Sequence, residues 1–227
     1  MSGLIDEAGG NHFRGEEAVE QARQAWQESM ERRLGALRDE LRERNIGHVA
    51  ANCGGTLQEP GVLLPYWDRE ILVAWPELTA NYLESKEECS TFDTAMLLYY
   101  LTCADGTPMA DAWVGFRELP DGGFYHQAFQ GYSGNKIADQ FGEDPDRYAA
   151  ASLTLGGGAL PALAPYAYSF SPLPMIRLAC ALWPGDEDFP SKASILFDAS
   201  ASHYMPTDGL ALLGSGLARR LIKAAVG

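Results

Sequence analysis

Positive charge is what the chain has least of: 17 Lys and Arg residues stand against 31 Asp and Glu, a formal net charge of −14 over 227 residues. An excess of that size repels phosphate backbones, and no basic cluster offsets it, so neither nucleic acid nor an anionic membrane surface is an expected partner. Long apolar runs are also missing. The longest, Met96–Leu101 with its flanks, falls well short of the roughly 18 residues a membrane-spanning helix needs. Met1–Phe13 holds no apolar run of the kind a signal peptide requires, so the expected location is cytoplasmic. Cysteine is scarce and scattered: Cys53, Cys89, Cys103 and Cys180 form no CxxC pair, which favours free, mostly buried thiols over a zinc or iron–sulfur site. The common catalytic signatures are absent as well. There is no GxSxG elbow, no HExxH, and no GxGxxG after a strand. Gly156-Gly157-Gly158 lacks the Lys-Ser/Thr of a phosphate loop and follows a helical segment, which makes it a helix terminator.

What is present is enough apolar sequence, 46% of residues with 11% aromatic, to bury a sizeable core. Ala22, Trp26, Met30, Leu34, Leu37 and Leu41 recur at spacings of three and four, predicting one long helix over residues 16–45 closed by Gly47. Its expected role is packing across the main domain, with pairing to a second copy as the alternative. Val62–Trp67, Ile71–Trp75 and Thr79–Leu83 read as a β-meander punctuated by Asp68-Arg69 and Pro76-Glu77. A helix follows Ser90 and runs to Cys103. Trp113–Leu119 and Phe124–Phe129, flanking Pro120-Asp121-Gly122-Gly123, predict a β-hairpin. Lys136–Phe141 and Pro145–Leu155 read as helices, Tyr166–Phe170, Met175–Trp183 and Ala193–Asp198 as strands, and Asp208–Ala225 as a final helix that Thr207 caps. Strands and helices come in blocks rather than in βαβ alternation. The expected class is therefore α+β, a mainly antiparallel sheet with packed helices and a long N-terminal helix. The expected organisation is a helical arm over 1–45 and a single domain over 46–227.

The most unusual segment begins at Trp183-Pro-Gly-Asp-Glu-Asp-Phe-Pro190 and continues through Ser194-Ile-Leu-Phe-Asp198 to His203 and Asp208. Asp198 closes an apolar strand and is expected to be desolvated, which raises its pKa unless a cation or a donor stabilises the charge. Ser200 and Ser202 are small enough to admit a ligand, and His203 is placed to take a proton, to orient on Asp198 or to ligate a metal. The plainer reading has Asp198 and Ser200 bonding the backbone of the following turn. On the predicted hairpin, His126 shares a face with Phe124 and Ala128, and Arg117 shares one with Trp113, so both are candidates to meet a ligand carboxylate. The plainer reading leaves them solvated. Candidate ligand-binding residues are therefore Asp198, Ser200, Ser202, His203, Arg117, His126 and Trp183, with no catalytic residue assigned and no metal ligand set.

At Trp183-Pro-Gly-Asp-Glu-Asp-Phe, Ile195-Leu-Phe-Asp-Ala-Ser-Ala-Ser-His-Tyr and Pro206-Thr-Asp the chain resembles a domain-of-unknown-function family of mainly anaerobic bacteria and archaea. Asp68-Arg-Glu-Ile and Trp113-Val-Gly-Phe-Arg-Glu-Leu fit the same family, over about residues 45–220. The resemblance implies a setting in anaerobic cofactor metabolism, among ferredoxin-type and corrinoid-handling proteins, and no mapped activity. Three functions stay open at this point. The first is an accessory protein holding a small-molecule or tetrapyrrole-type ligand in an aromatic-lined pocket near Asp198–His203. The second is a hydrolase or transferase using Asp198 and His203. The third is a docking module for a redox-protein partner. The cofactor is unknown, and whether any substrate turns over is left open. Residues 1–45 hold 7 basic and 10 acidic groups, so the acidic excess lies mostly in the folded domain.

Overall fold

The computed structural model describes residues 31–226. Helix α1 (residues 31–42) buries Leu34, Leu37 and Leu41 along one face, as their spacing requires. It does not run on to residue 45, and the earlier part of the expected long helix, residues 16–30, lies outside the described residues. Asn45 instead caps a second helix, α2 (Ile46–Asn52), by accepting from the His48 amide at 3.1 Å. Gly47 sits inside α2 and closes nothing.

The meander forms as expected, with one added edge strand: β1 (Thr56–Gln58), β2 (Gly61–Tyr66), β3 (Arg69–Ala74) and β4 (Ala80–Tyr82) pair antiparallel in chain order. Helix α3 (Thr91–Cys103) starts where the Ser90 hydroxyl accepts from the Asp93 amide, and it is apolar nearly all round because it lies inside the core. Arg38, Arg42 and Arg44 donate to the carbonyls of Leu78, Pro76 and Thr102, which fastens α1 over the β3–β4 turn and the end of α3. Beyond a loop, β5 (Trp113–Gly115) joins a second antiparallel sheet of order β5-β9-β8-β7-β6, with β6 (Gly158–Ala159), β7 (Tyr166–Leu173), β8 (Ile176–Trp183) and β9 (Lys192–Asp198).

The expected hairpin over Trp113–Phe129 does not form. After β5 the chain makes a 3-10 turn (Phe116–Glu118), with the Gly115 amide donating to the Glu118 carboxylate at 2.7 Å, and then enters helix α4 (Gly122–Tyr132). The physical reason is packing. Phe129 stacks on Phe116 at 4.2 Å, and a side chain at Gly122 would strike the Phe116 carbonyl, so the Pro-Asp-Gly-Gly sequence admits a close helix start rather than a strand reversal. Helices α5 (Gly134–Phe141) and α6 (Pro145–Thr154) follow, the second capped by Asp144, and Gly156 closes it at φ +73°. Helix α7 (Thr207–Ala224) ends the fold against α4, α5 and α6. Its expected cap differs: Pro206 holds the cap position, and the Thr207 hydroxyl donates to the Pro120 carbonyl at 2.6 Å, tying α7 to the turn before α4. Among the described residues, both sheets and the seven helices share one apolar core running from Leu34 to Leu221. The class is α+β.

Candidate functional site

Strand β9 alternates, burying Ala193, Ile195 and Phe197, and it delivers Asp198 into a corner where it pairs with Trp113 of β5. The Asp198 side chain is 1% exposed. Its Oδ1 accepts from the Ser200 hydroxyl at 2.7 Å, the Ala110 amide at 2.9 Å and the Ser200 amide at 3.0 Å. Oδ2 accepts from Arg177 Nη2 at 2.9 Å and from the Asp111 amide at 3.0 Å. Burial alone pushes this carboxyl up; the Ser200 hydroxyl, the Ser200 and Ala110 amides and Arg177 outweigh it and hold the group at about 2. Of the two sequence readings, the stabilised carboxylate is the one that forms. Five donors exceed the roughly four lone-pair sites of a carboxylate, so Asp198 has neither a free lone pair nor a useful affinity for a proton near neutrality. Arg177 also pairs with the Asp111 carboxylate and lies 5.6 Å over the Trp113 ring.

His203 does not orient on Asp198. Its Nδ1 lies 2.7 Å from Asp105 Oδ2 and 3.2 Å from the Thr107 hydroxyl, and this contact with His203 is the main reason the Asp105 carboxyl is held at about 2. The neighbouring Tyr204 hydroxyl donates to the Thr107 carbonyl. The loop between α3 and β5 is thus pinned twice, by His203 and Tyr204 near its start and by Asp198 near its end.

The remaining sequence candidates are scattered. Trp183 sits at the far end of β8, paired with Lys192, about 20 Å along the strands from Asp198. Arg117 is exposed on the 3-10 turn, and His126, in the first turns of α4, contacts the Gly123 carbonyl at 2.8 Å, so the two do not face each other across a hairpin. Sequence reasoning missed Arg177, Asp105, Asp111 and Thr107. Arg177 left one signal, a lone cation inside the apolar run Ile176–Trp183.

Ser202 is the candidate that reaches a cavity. A cleft of about 710 Å³ opens between α4 and the start of α7. Tyr125, Ala128 and Tyr132 form one wall, Met205, Ala211 and Leu212 the other, and Phe116 is on the lining as well. Tyr125, Tyr132 and Leu212 are solvent-exposed, and Phe124 beside them is 85% exposed. Its charged lining residues are both acidic, Asp121 and Asp208, and Asp208 has Arg33 at 3.6 Å. Asp121 holds φ at 57°, in the left-handed region. The Asp198 corner lies behind this cleft: Asp198 anchors Ser200, and the short 3-10 turn Ala201–His203 that follows leads directly into the Met205 wall. Among the described residues no cluster of three or more His, Cys, Asp or Glu side chains is arranged to hold a metal ion, and no helix is long and apolar enough to cross a membrane.

A family model described as a domain of unknown function, DUF3786, matches residues 45–220. The chain belongs to the DUF3786 family. The matched range coincides with the span of the resemblance carried by the Trp183–Asp208 motifs. No curated protein and no solved structure matches the chain. The DUF3786 match begins at the Asn45 cap of α2 and ends in the last turns of α7, so it contains the Asp198 corner and the whole lining of the cleft, while α1 lies ahead of it.

Proposed function

We propose that the protein is a binding or accessory protein that holds a small, mainly apolar, neutral or cationic molecule in the cleft between α4 and α7. The observation that carries this reading is the group of solvent-exposed aromatic and aliphatic side chains, Tyr125, Tyr132 and Leu212, around a concavity of about 710 Å³. That size lies within the range of roughly 300–1,000 Å³ typical of small-molecule sites, and exposed apolar surface arranged around a cavity is the usual mark of a ligand or partner site. The acidic rim at Asp121 and Asp208 disfavours anionic ligands. Recognition fits better than turnover because Asp198, the one deeply buried carboxylate among the described residues, is saturated with donors and His203 is paired with Asp105, so neither is poised as a base toward the cleft.

Native mass spectrometry of the freshly purified, anaerobically handled protein tests this, beside an Ala128→Trp variant. Ala128 is exposed on α4, so the larger ring fills the cleft without entering the core. The expected result is a non-covalent adduct on the wild type that the variant loses. A small apolar cation, benzyltrimethylammonium, raises the melting temperature by roughly 5–10 °C at a hundredfold excess over Kd, while benzoate, of similar size and anionic, does not; in the tetrapyrrole arm, haemin, with two carboxylates, gives no shift. A bare chain mass together with salt-sensitive capture by a ferredoxin-type protein would overturn the small-molecule reading in favour of a redox-protein partner. An adduct retained by Ala128→Trp would remove the cleft from it.

A further inference from the structure

We infer that a second cleft, at the other end of α7, binds a phosphate ester of a hydroxyl-bearing small molecule. This cleft has a volume of about 950 Å³ and is lined by Trp67 and Asp68 of the β2–β3 turn, Ser169 and Ser171 of β7, and Arg220 and Lys223 of α7. It gathers two cations on one lining in a chain of net charge −14. Six of the described arginines, Arg33, Arg38, Arg42, Arg44, Arg147 and Arg177, donate to a hydroxyl, a carbonyl or a carboxylate, whereas Arg32, Arg69, Arg117 and Arg219 do not; Arg220 is placed with a second cation, Lys223, on the lining of one cleft. Among the described residues Arg220 and Lys223 make no ion pair and no side-chain hydrogen bond. The Arg220 guanidinium lies 4.1 Å over the Trp67 ring, a stacked arrangement that leaves its N–H donors available.

Trp67 is the second observation. It holds φ at 57°, a left-handed conformation that bulky residues rarely adopt, while its amide donates to the Pro172 carbonyl at 2.9 Å where the two sheets meet. The turn therefore fixes the indole beneath Arg220 at the cleft. The dipole of α7 by itself favours cations in its last turn. It does not call for a left-handed tryptophan under one of them, nor for an open cleft in front of both.

Of the two glycines on the lining, Gly156 spends its amide on the Leu153 carbonyl at the end of α6 and Gly158 is paired with Ser169 in the β6–β7 ladder, so the donors come from side chains. A fork of guanidinium N–H groups and an ammonium together match a phosphate, which carries about −1.5 to −2 near neutral pH, better than a single carboxylate. Asp68 is the one carboxylate on the lining. It repels a bare anion but accepts from a ligand hydroxyl, and the volume is far larger than an inorganic ion needs, so an ester is favoured over free phosphate.

Isothermal titration of the full-length protein at low salt, with ribose 5-phosphate, AMP, inorganic phosphate and ribose as probes, tests the inference. The esters bind, inorganic phosphate binds more weakly, and ribose gives no heat. Lys223→Gln, an exposed change that lowers the melting temperature by no more than roughly 1–4 °C through the lost dipole interaction, and Arg220→Gln each weaken ester binding by about tenfold or more. Ala128→Trp, in the first cleft, leaves it unchanged, which keeps the two sites separable. Absence of heat with every phosphate-bearing probe, or equal ester affinity in the wild type and both variants, would overturn the site; inorganic phosphate binding as tightly as the esters would overturn the ester assignment.

Discussion

Replacing Asp198 with Asn distinguishes a structural anchor from a reactive acid. The folded carboxyl is held at about 2 against an ordinary value of 3.8, a difference worth about 2 kcal/mol of stability once the group is ionised in both states. Because the folded value is the lower one, this contribution is present in full above the ordinary value and is lost as the pH falls through about 2. Asn removes the charge and also turns an NH2 group toward one of two donor sets, either the Ser200 and Ala110 groups or the Asp111 amide and Arg177. Breaking a buried pair costs about 3–5 kcal/mol where the survivor has no other partner. Arg177 keeps Asp111 and is 28% exposed, which places the expected loss at about 2–4 kcal/mol. With an m-value of roughly 2 kcal/mol/M, the urea midpoint at pH 7 falls by about 1–2 M, read by tryptophan fluorescence. The difference between wild type and Asp198→Asn narrows on acidification to about pH 2 and is otherwise constant above about pH 5. A reactive acid behaves in the opposite way: its neutral substitution leaves stability unchanged or raises it. A loss below about 1 kcal/mol at pH 7, or a gap undiminished at pH 2, would refute the anchoring role.

Other expectations follow from the same contacts. Ser200→Ala removes the 2.7 Å hydroxyl donor to a charged, buried acceptor and costs about 1.5–3 kcal/mol, with the acid-unfolding midpoint moving to higher pH because the Asp198 carboxyl rises. A Cβ at Gly216 lies at ordinary distances of 3.5 Å from Arg220 and 3.7 Å from Trp67, so Gly216→Ala gains helix propensity of about 1 kcal/mol and raises the melting temperature by roughly 2–4 °C. At Gly214 the same atom falls 2.7 Å from the Phe129 ring, and Gly214→Ala is expected to cost about 1–3 kcal/mol in the same denaturation experiment. Burial pushes the Cys53 and Cys89 thiols up to about 11 and Cys180 up to about 12, so iodoacetamide at pH 8 labels these three only after denaturation; labelling of the native protein would contradict their packing.

Most of the fold was legible where local pattern and burial agree. The meander over Val62–Leu83, the capped helix after Ser90, the Asp144-Pro145 helix start and the strand ending on Asp198 all combine a period with a stop signal, and each forms near its expected place. The hairpin failed where the local signal is ambiguous. Phe124, His126 and Ala128 satisfy a period of two, but Phe129 and the Gly122 contact with Phe116 satisfy a helix packed on the aromatic pair, and packing decides. Asp198 drew attention as a desolvated acid in the sequence, and its burial is as expected. Its partners were not legible, because Arg177 is 21 residues away and Ala110 is 88, and no local periodicity encodes contacts across a sheet. The aromatic cleft was hidden for the same reason. Its walls come from α4, which read as a strand, and from α7, more than 70 residues further along.

Helix α7 connects the two clefts and reconciles them with the acidity of the chain. Asp208 in its first turn and Lys223 in its last both suit the helix dipole, each by about 0.3–1 kcal/mol, so an acidic rim at one end and a basic lining at the other cost the fold nothing. The same polarity gives the two clefts opposite charge selectivity: Asp121 joins Asp208 at the start of the helix, and Arg220 joins Lys223 at its end. An average of −14 conceals this because net charge counts residues without regard to where a helix points. The acidic excess disfavours polyanions on the surface as a whole. It does not extend to a small phosphate ester at the end of α7, since two unpaired cations within one cleft set the local potential over distances shorter than the screening length of about 8–10 Å.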